Sequence, residues 1–172
     1  AKAVNFGLVY GISPFSLPQD IGVTVAEAQA YMDSYFAKYP GVKHYMEEIV
    51  ERAKADGYVE TLFHRRRSLP EIKSSNFNMR SFGERVALNM PIQGTAADII
   101  KLAMVHVRRR LLEERLKARL IMQVHDELIV ECPREEAEQV KALLTEEMER
   151  VVTLPVPLTT EAHSGKNWLE AK

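Results

Sequence analysis

The sequence predicts an α+β fold, in which most of the chain is helical and a small antiparallel sheet follows near the C-terminal end. Apolar residues recur at three- and four-residue steps between Ala96 and Leu111, which is the spacing of one buried helix face. Two mainly apolar segments, residues 120–124 and 128–132, flank a polar tip and predict a β-hairpin. With 46% hydrophobic and 27% charged residues in 172, the chain has a globular composition, which excludes disordered, collagen-like and coiled-coil classes.

The first third of the chain is expected to be mainly helical. Residues 1–8 predict a helix that ends near Gly7 and Gly11. Thr24 and Glu27 have the spacing of a capping box, in which both side chains bond free backbone N–H groups, so a helix is expected from there to about Lys38. Pro40 and Gly41 interrupt the pattern, and the elements expected after them are a helix over 42–56 and a strand over 58–62.

Prolines divide the rest of the chain. A helix over 76–89 is expected to stop before Pro91, because proline suits the first turn of the next helix better than a helix interior. Pro133 is expected to open the last helix, and a final strand is expected over 157–163.

Charge is strongly segregated along the chain, although the net charge is only -1. Residues 1–60 carry 5 basic and 8 acidic side chains, residues 61–120 carry 13 and 5, and residues 121–172 carry 5 and 11. The middle third therefore predicts a surface that binds a polyanion. The alternative is that its arginine triplets, at 65–67 and 108–110, are solvated helix faces or loop ends.

Several classes of protein find no support in the sequence. No apolar run approaches the roughly 18 residues of a membrane span, and no signal peptide or anchor is visible. A single cysteine, Cys132, excludes an internal disulfide and a structural zinc site built on cysteines, and favours a reducing, cytoplasmic setting. The chain starts at Ala1 inside a helical pattern, so we expect it to be a piece of a longer protein.

The hairpin tip, His125-Asp126-Glu127, is the most informative local feature. Three polar groups between two apolar strands are costly unless they lie exposed in a cleft, and hard oxygen ligands there suit Mg²⁺ with substrate phosphates. The alternative is a plain polar turn. A two-metal site needs a second carboxylate strand; Glu131 and Glu161 are possible, but neither is singled out by its context.

Two further groups of side chains recur at four-residue steps. Lys2, Phe6 and Tyr10 could hold a triphosphate and stack a base, with Gly11 permitting close approach of the base, although core packing of the aromatics is the alternative. The second group spans Pro91 and has long planar donors that suit the sequence-independent acceptors of the DNA minor groove: Arg85, Asn89 and Gln93. The alternative is that Asn89 caps a helix and Gln93 is an exposed first-turn residue.

Together these segments resemble the C-terminal part of the family A DNA polymerases, the bacterial DNA polymerase I group. Residues 1–11 resemble motif B, the mobile helix of the fingers. Residues 123–127, with the sequence QVHDE, resemble motif C, and residues 85–98 resemble the stretch between the two motifs. The resemblance runs through essentially the whole chain in the family's order.

The resemblance implies a role for each candidate residue. Lys2 would contact the phosphates of the incoming dNTP, Phe6 its sugar, and Tyr10 the template-base position. In the hairpin, His125 would touch the primer terminus and Asp126 would bind the metal, with Glu127 as a less critical catalytic neighbour. The residues implied to contact DNA are Arg80 at a template phosphate, and Arg85, Asn89 and Gln93 along the minor groove near the primer end.

The same resemblance implies what lies outside this chain. The family's motif A, with the other essential aspartate, would lie upstream, so the second carboxylate of a two-Mg²⁺ site is expected elsewhere. Residues 1–75 are expected to form a fingers segment and residues 76–172 the C-terminal palm segment. The implied activity is DNA synthesis from dNTPs on primer-template DNA, in replication and repair, and the implied location is the bacterial nucleoid in the cytoplasm. The upstream palm and the thumb would be needed for this activity, so the isolated chain is expected to be inactive.

Two other functions stay open at this point. One is a non-catalytic DNA-binding remnant of a polymerase, which fits the basic middle third and the missing motif A. The other is a Mg²⁺-dependent phosphohydrolase that uses the hairpin tip, but it leaves the first helix unexplained.

Overall fold

The α+β prediction is confirmed by the computed structural model, which describes Gly7, Tyr10, Gly11 and residues 22–171. Helices dominate, and the described residues contain two small antiparallel sheets of two strands each. The chain divides into two compact units, Ala1–Thr95 and Ala96–Lys172. None of the described helices combines the length and the apolar character that a bilayer span needs. The predicted helix over 1–8 lies almost entirely outside the described residues.

Two helices open the described part of the first unit. Helix α1 spans Val25–Lys38, and the predicted capping box is present: Thr24 Oγ1 accepts from the Glu27 backbone N–H at 3.3 Å, while the Glu27 carboxylate accepts from the Thr24 N–H at 2.8 Å. Helix α2 spans Pro40–Asp56, so Pro40 is its first residue rather than an extended break. Gly57, at φ +79°, ends α2 in the left-handed conformation that glycine adopts without strain.

A short hairpin and a turn complete the core of the first unit. Strands β1 (Tyr58–Glu60) and β2 (Arg66–Ser68) pair antiparallel, and a 3-10 turn follows over Pro70–Lys73. The side chains that close this core come from α2, the hairpin, the turn and the next helix, and are Ala53, Val59, Leu69, Ile72 and Ala87.

The prediction that Pro91 separates two helices is wrong, because a single helix, α3, runs without interruption over Phe77–Glu113. Proline removes one backbone bond, to the carbonyl four residues earlier. The Thr95 hydroxyl donates to the Pro91 carbonyl at 2.5 Å and accepts the Leu62 N–H at 2.9 Å, which ties this turn to the hairpin. Buried α3 side chains lie on both sides of the proline: Ala87, Leu88, Ile100, Ala103, Val107 and Leu111.

The second unit contains the other hairpin. Strands β3 (Arg119–Val124) and β4 (Glu127–Glu131) pair antiparallel, as predicted, with an irregularity between Leu120 and Met122. After a 3-10 turn over Arg134–Glu136, helix α4 spans Ala137–Glu149. The core joins the C-terminal part of α3 to α4 through Val107, Leu111, Ala118, Val140 and Leu143.

Charge pairing reinforces the same contact between α3 and α4. Arg110, from the second arginine triplet, donates to Glu114 at 2.7 Å and to Glu147 at 2.9 Å, and also bonds Glu146. The bonds from Arg110 hold the pKa values of the Glu114 and Glu146 carboxyls below their usual range. Arg110, one of the basic residues of the middle third, therefore pairs with carboxylates of this chain and is not available to a polyanion.

The predicted strand over 157–163 is wrong, since the described chain has no strand there. A strand requires a neighbour that bonds its backbone, and instead the Thr160 N–H donates to the Glu149 carboxylate at the end of α4, at 2.8 Å. The sequence of residues 157–163 alone could not show whether a neighbouring strand is present.

Gly83 marks the closest approach of α3 to the 3-10 turn, and it generates a stability prediction. A Cβ at this position would lie 2.8 Å from the backbone nitrogen of Ile72 and 2.9 Å from its Cα. Gly83→Ala should therefore lower the free energy of unfolding by about 1–3 kcal/mol, measured by urea denaturation. Gly41→Ala in α2 is the matched control, because no atom of the described residues would lie within 4 Å of its Cβ, and it should be neutral or stabilising by up to about 1 kcal/mol. Equal stability of the two variants would contradict this packing.

Candidate functional site

A cavity of about 260 Å³ in the first unit brings several of the predicted residues together. Tyr10, from the N-terminal segment, lines it with three residues of α3, Arg85, Asn89 and Gln93. The α3 residues follow steps of three and four, so they occupy one helix face. The remaining lining residues are Arg67, Phe82, Val86 and Met90. One member of the first predicted group, Tyr10, therefore shares a cavity with all three members of the second, while Lys2 and Phe6 lie outside the described residues.

Asn89 gives this cavity an unusual polar group. Its Oδ1 atom is buried and, within the part of the chain that the structure describes, has no hydrogen-bond partner. A buried acceptor without a partner is costly, so such an atom suits a ligand that brings an N–H or O–H group. Arg85, beside it, is exposed and donates from Nη1 to Ser81 Oγ at 3.0 Å, which directs its guanidinium along the helix.

The first arginine triplet separates into different roles. Arg66 lies opposite Glu60 in the β1–β2 register, donates to its carboxylate at 2.5 Å and stacks on the Tyr58 ring at 4.6 Å. This hydrogen bond holds the pKa of the Glu60 carboxyl below its usual value. Arg67 points to the other face of the strand and lines the cavity.

Sequence reasoning did not single out Arg67. Consecutive side chains of a strand point to opposite faces, so once β2 is known, Arg66 and Arg67 must lie on different faces of it. Only the fold tells which of the two faces the cavity.

Two other predicted residues make contacts that the sequence did not indicate. At Gly11, with φ +74°, a Cβ would lie 2.8 Å from Leu88 Cδ1, so glycine here lets the N-terminal segment approach α3 closely, while its approach to a base stays a prediction. Arg80 does not line the cavity: it donates from Nη1 to the Ser74 carbonyl at 3.0 Å, and its guanidinium lies 5.8 Å from the Phe77 ring centre. It therefore anchors the start of α3.

The polar hairpin tip lies in the second unit. His125 and Asp126 form a two-residue turn, because Val124 pairs with Glu127 across the strands. His125 adopts φ +51°, and its carbonyl accepts from Gln123 Nε2 at 2.6 Å, which braces the turn. All three tip side chains are exposed to solvent.

Glu127 is the first residue of β4, so its backbone is fixed by the strand pairing. One of its carboxylate oxygens, Oε2, accepts the indole N–H of Trp168 at 3.3 Å. The residue that follows the turn is thus held by a side chain 41 positions away in the sequence. Nothing in the local sequence pattern indicated this contact.

The tip offers few ligands for a metal ion. Over the described residues, no group of three or more His, Cys, Asp or Glu side chains is arranged to hold a metal. Asp126 and Glu127 offer two hard oxygen ligands on a braced turn, which fits Mg²⁺, since this ion takes one or two protein carboxylates and completes its shell with phosphates and water. The tip fits a shared magnesium site and not a closed structural one.

Known proteins are similar to this sequence over its whole length. The sequence model described as DNA polymerase family A matches residues 1–170. The chain is 59% identical over all 172 residues to DNA polymerase I of Geobacillus stearothermophilus, and 56% identical over the same length to DNA polymerase I of Bacillus subtilis (strain 168). It spans 20% of the length of each of these relatives.

A solved structure shows the same fold. The POL domain of Pol1 from M. smegmatis, in complex with DNA primer-template and dNTP, superposes with a TM-score of 0.95 at 42% identity, over 99% of this chain and 30% of that one. The resemblance found in the sequence motifs is therefore confirmed over the length of the chain. The chain belongs to DNA polymerase family A.

Proposed function

We propose that this chain is the fingers segment (1–75) and the C-terminal palm segment (76–172) of a DNA-directed DNA polymerase, which adds dNTPs to a primer on a DNA template. The observation that carries the proposal is the cavity that Tyr10 shares with Arg85, Asn89 and Gln93. Membership of the polymerase family supports the reaction, and relatives named DNA polymerase I support a role in DNA replication and repair at the nucleoid of a bacterial cytoplasm.

The chemistry of the cavity suits the end of a primer-template duplex. The minor groove presents a nearly degenerate set of acceptors, to which the long donors Arg85 and Gln93 can bond whatever the sequence. Oδ1 of Asn89, which has no partner among the residues that the structure describes, suits the amino group of guanine, which is the one donor in that groove. Arg67 adds a second cation to the cavity, and the phosphate backbone attracts both.

The hairpin tip is proposed to supply the negative charge that nucleotidyl transfer requires. Asp126, with Glu127 beside it, would hold Mg²⁺ against the phosphates of the incoming nucleotide. When bound, Mg²⁺ neutralises phosphate charge and lowers the pKa of the primer hydroxyl. A two-metal arrangement needs a further carboxylate, which we assign to a segment outside this chain.

The roles of the remaining candidates rest on the family resemblance. Lys2 is proposed to contact the nucleotide phosphates, Phe6 its sugar and Tyr10 the template base. His125 is proposed to contact the primer terminus and Arg80 a template phosphate. Without the further carboxylate, the 172-residue chain is proposed to bind primer-template DNA, but not to extend it.

The metal assignment predicts the effect of Asp126→Asn. The test uses a chimaera in which the chain replaces its aligned segment in the Geobacillus stearothermophilus polymerase, to which it is 59% identical. Because metal stabilisation of the transition state amounts to several kcal/mol, the variant should slow Mg²⁺-dependent primer extension by about 10³-fold while leaving the DNA dissociation constant nearly unchanged.

The matched control for that experiment is Asp33→Asn, which removes the same charge from α1, where the carboxylate accepts from Gln29 at 2.9 Å. It should leave extension unchanged. Full extension activity in Asp126→Asn would overturn the proposed function.

The cavity assignment predicts the effect of Arg85→Ala. Losing a hydrogen bond from a charged donor should weaken binding of the chimaera to primer-template DNA by about tenfold. The loss should be the same for duplexes that differ in the terminal base pairs, since minor-groove acceptors are shared. Fluorescence anisotropy at fixed salt measures it.

Arg52→Ala is the control for Arg85→Ala, because Arg52 carries the same charge on α2, where it pairs with Glu48. It should bind DNA as the unmodified chimaera does. A loss at Arg85 that depends strongly on the terminal base pair would argue for a different contact.

A further inference from the structure

The C-terminal segment of the second unit is folded into a closed turn. The Glu170 carboxylate accepts the Lys166 N–H at 3.1 Å and the Asn167 side-chain amide at 2.8 Å. The Asn167 side-chain oxygen in turn accepts the Glu170 N–H at 3.1 Å. Gly165 permits the closure, since a Cβ there would lie 2.6 Å from the Cβ of Glu170 and 2.7 Å from its carbonyl carbon. These reciprocal bonds fix the backbone on both sides of Trp168.

The turn presents Trp168 to the polar hairpin. Its indole Nε1 donates to Oε2 of Glu127 at 3.3 Å, and the residue is 40% exposed. Indole nitrogen is a donor only, so the Glu127 oxygen is the acceptor in this contact. Trp168 is also the single tryptophan of the chain.

We propose that Trp168 is a positioning residue for Glu127, and that the C-terminal turn exists to hold the carboxylate beside Asp126 in one orientation. This inference rests on the proposed function. A glutamate side chain loses conformational entropy when it is ordered. A fixed donor on one carboxylate oxygen restricts its rotamers before metal binds, so metal binding costs less entropy. The bond uses Oε2, and Oε1 would then face the metal or a water bound to it.

The hairpin tip is thereby braced from two sides. Gln123 on β3 holds the carbonyl of His125, and Trp168 holds the side chain of Glu127 on β4. Asp126 lies between these two supports. Groups around a metal site must be held to within fractions of an ångström, which explains why an exposed tip carries such supports.

The activity test is a Mg²⁺ titration of primer extension in the same chimaera. Trp168→Phe keeps the aromatic ring and removes the donor. Loss of a partner of a metal ligand costs about 10–100-fold in metal affinity or activity, and because this bond is long and partly exposed we expect the lower end, an increase of about tenfold in the half-saturating Mg²⁺ concentration. Leu169→Ala, at a neighbour that is 84% exposed, should leave that concentration unchanged.

A double variant separates positioning from mere folding. If Trp168 acts through Glu127, adding Trp168→Phe to Glu127→Gln should change the Mg²⁺ dependence no further. Additive effects would mean that Trp168 acts by another route, and would overturn the inference.

A second readout does not depend on activity. In the ¹⁵N-labelled 172-residue chain, the single indole N–H gives one resonance, which Mn²⁺ should broaden in the wild type and leave sharp in Asp126→Asn. Glu127→Gln should shift the same resonance, because the charged acceptor is lost. An indole resonance that responds to neither change would overturn the inference, and this measurement stands even if Trp168→Phe fails to fold.

Failure of this inference is distinguishable from failure of the proposed function. If Asp126→Asn abolishes extension and Trp168→Phe leaves the Mg²⁺ dependence unchanged, the polymerase assignment stands and the positioning role is wrong. If Asp126→Asn extends normally, the metal assignment itself is wrong, and the role of Trp168 is overturned with it.

Discussion

The burial of one face of helix α3 is the constraint on which the rest of the described structure depends. Its first half places Ala87 in the core of the first unit, and its second half places Val107 and Leu111 in the core of the second. Each buried CH₂ group contributes about 0.8 kcal/mol, so a few buried side chains exceed the cost of a proline in a helix interior, which is about 3 kcal/mol. Burial on both sides therefore keeps the helix continuous, and the same helix carries Arg85 and the other residues that line the cavity.

Local signals in the sequence predicted most of the helices and strands, whereas features that depend on long-range contacts were missed. The capping box at Thr24 and the β3–β4 hairpin follow from spacings within a few residues, so they could be predicted with their boundaries nearly correct. The continuity of α3 through Pro91 depends on packing from other elements, such as the Thr95 contact with the hairpin. The absence of a strand over 157–163, within the described chain, likewise depends on whether a partner strand lies beside it.

The candidate site divides in the same way. Residue type and helical spacing identified Arg85, Asn89 and Gln93 as one group, but only the fold adds Tyr10 to them in one cavity. Arg67 requires knowledge of which face of β2 meets the cavity, and the contact of Trp168 with the hairpin spans 41 residues. Such contacts leave no periodic pattern in the sequence. Function in this chain thus combines locally encoded chemistry with positioning that the tertiary fold supplies.

We propose that this chain contributes one carboxylate side of a shared two-metal site, together with the surface that binds the primer end. One experiment separates a half-site from a complete one: Mg²⁺-dependent primer extension by the 172-residue chain alone, beside extension by the chimaera that restores the rest of a polymerase. The chain alone should bind primer-template DNA without extending it, whereas the chimaera should extend. Extension by the chain alone, abolished by Asp126→Asn, would overturn the half-site, because the second carboxylate would then lie within this chain.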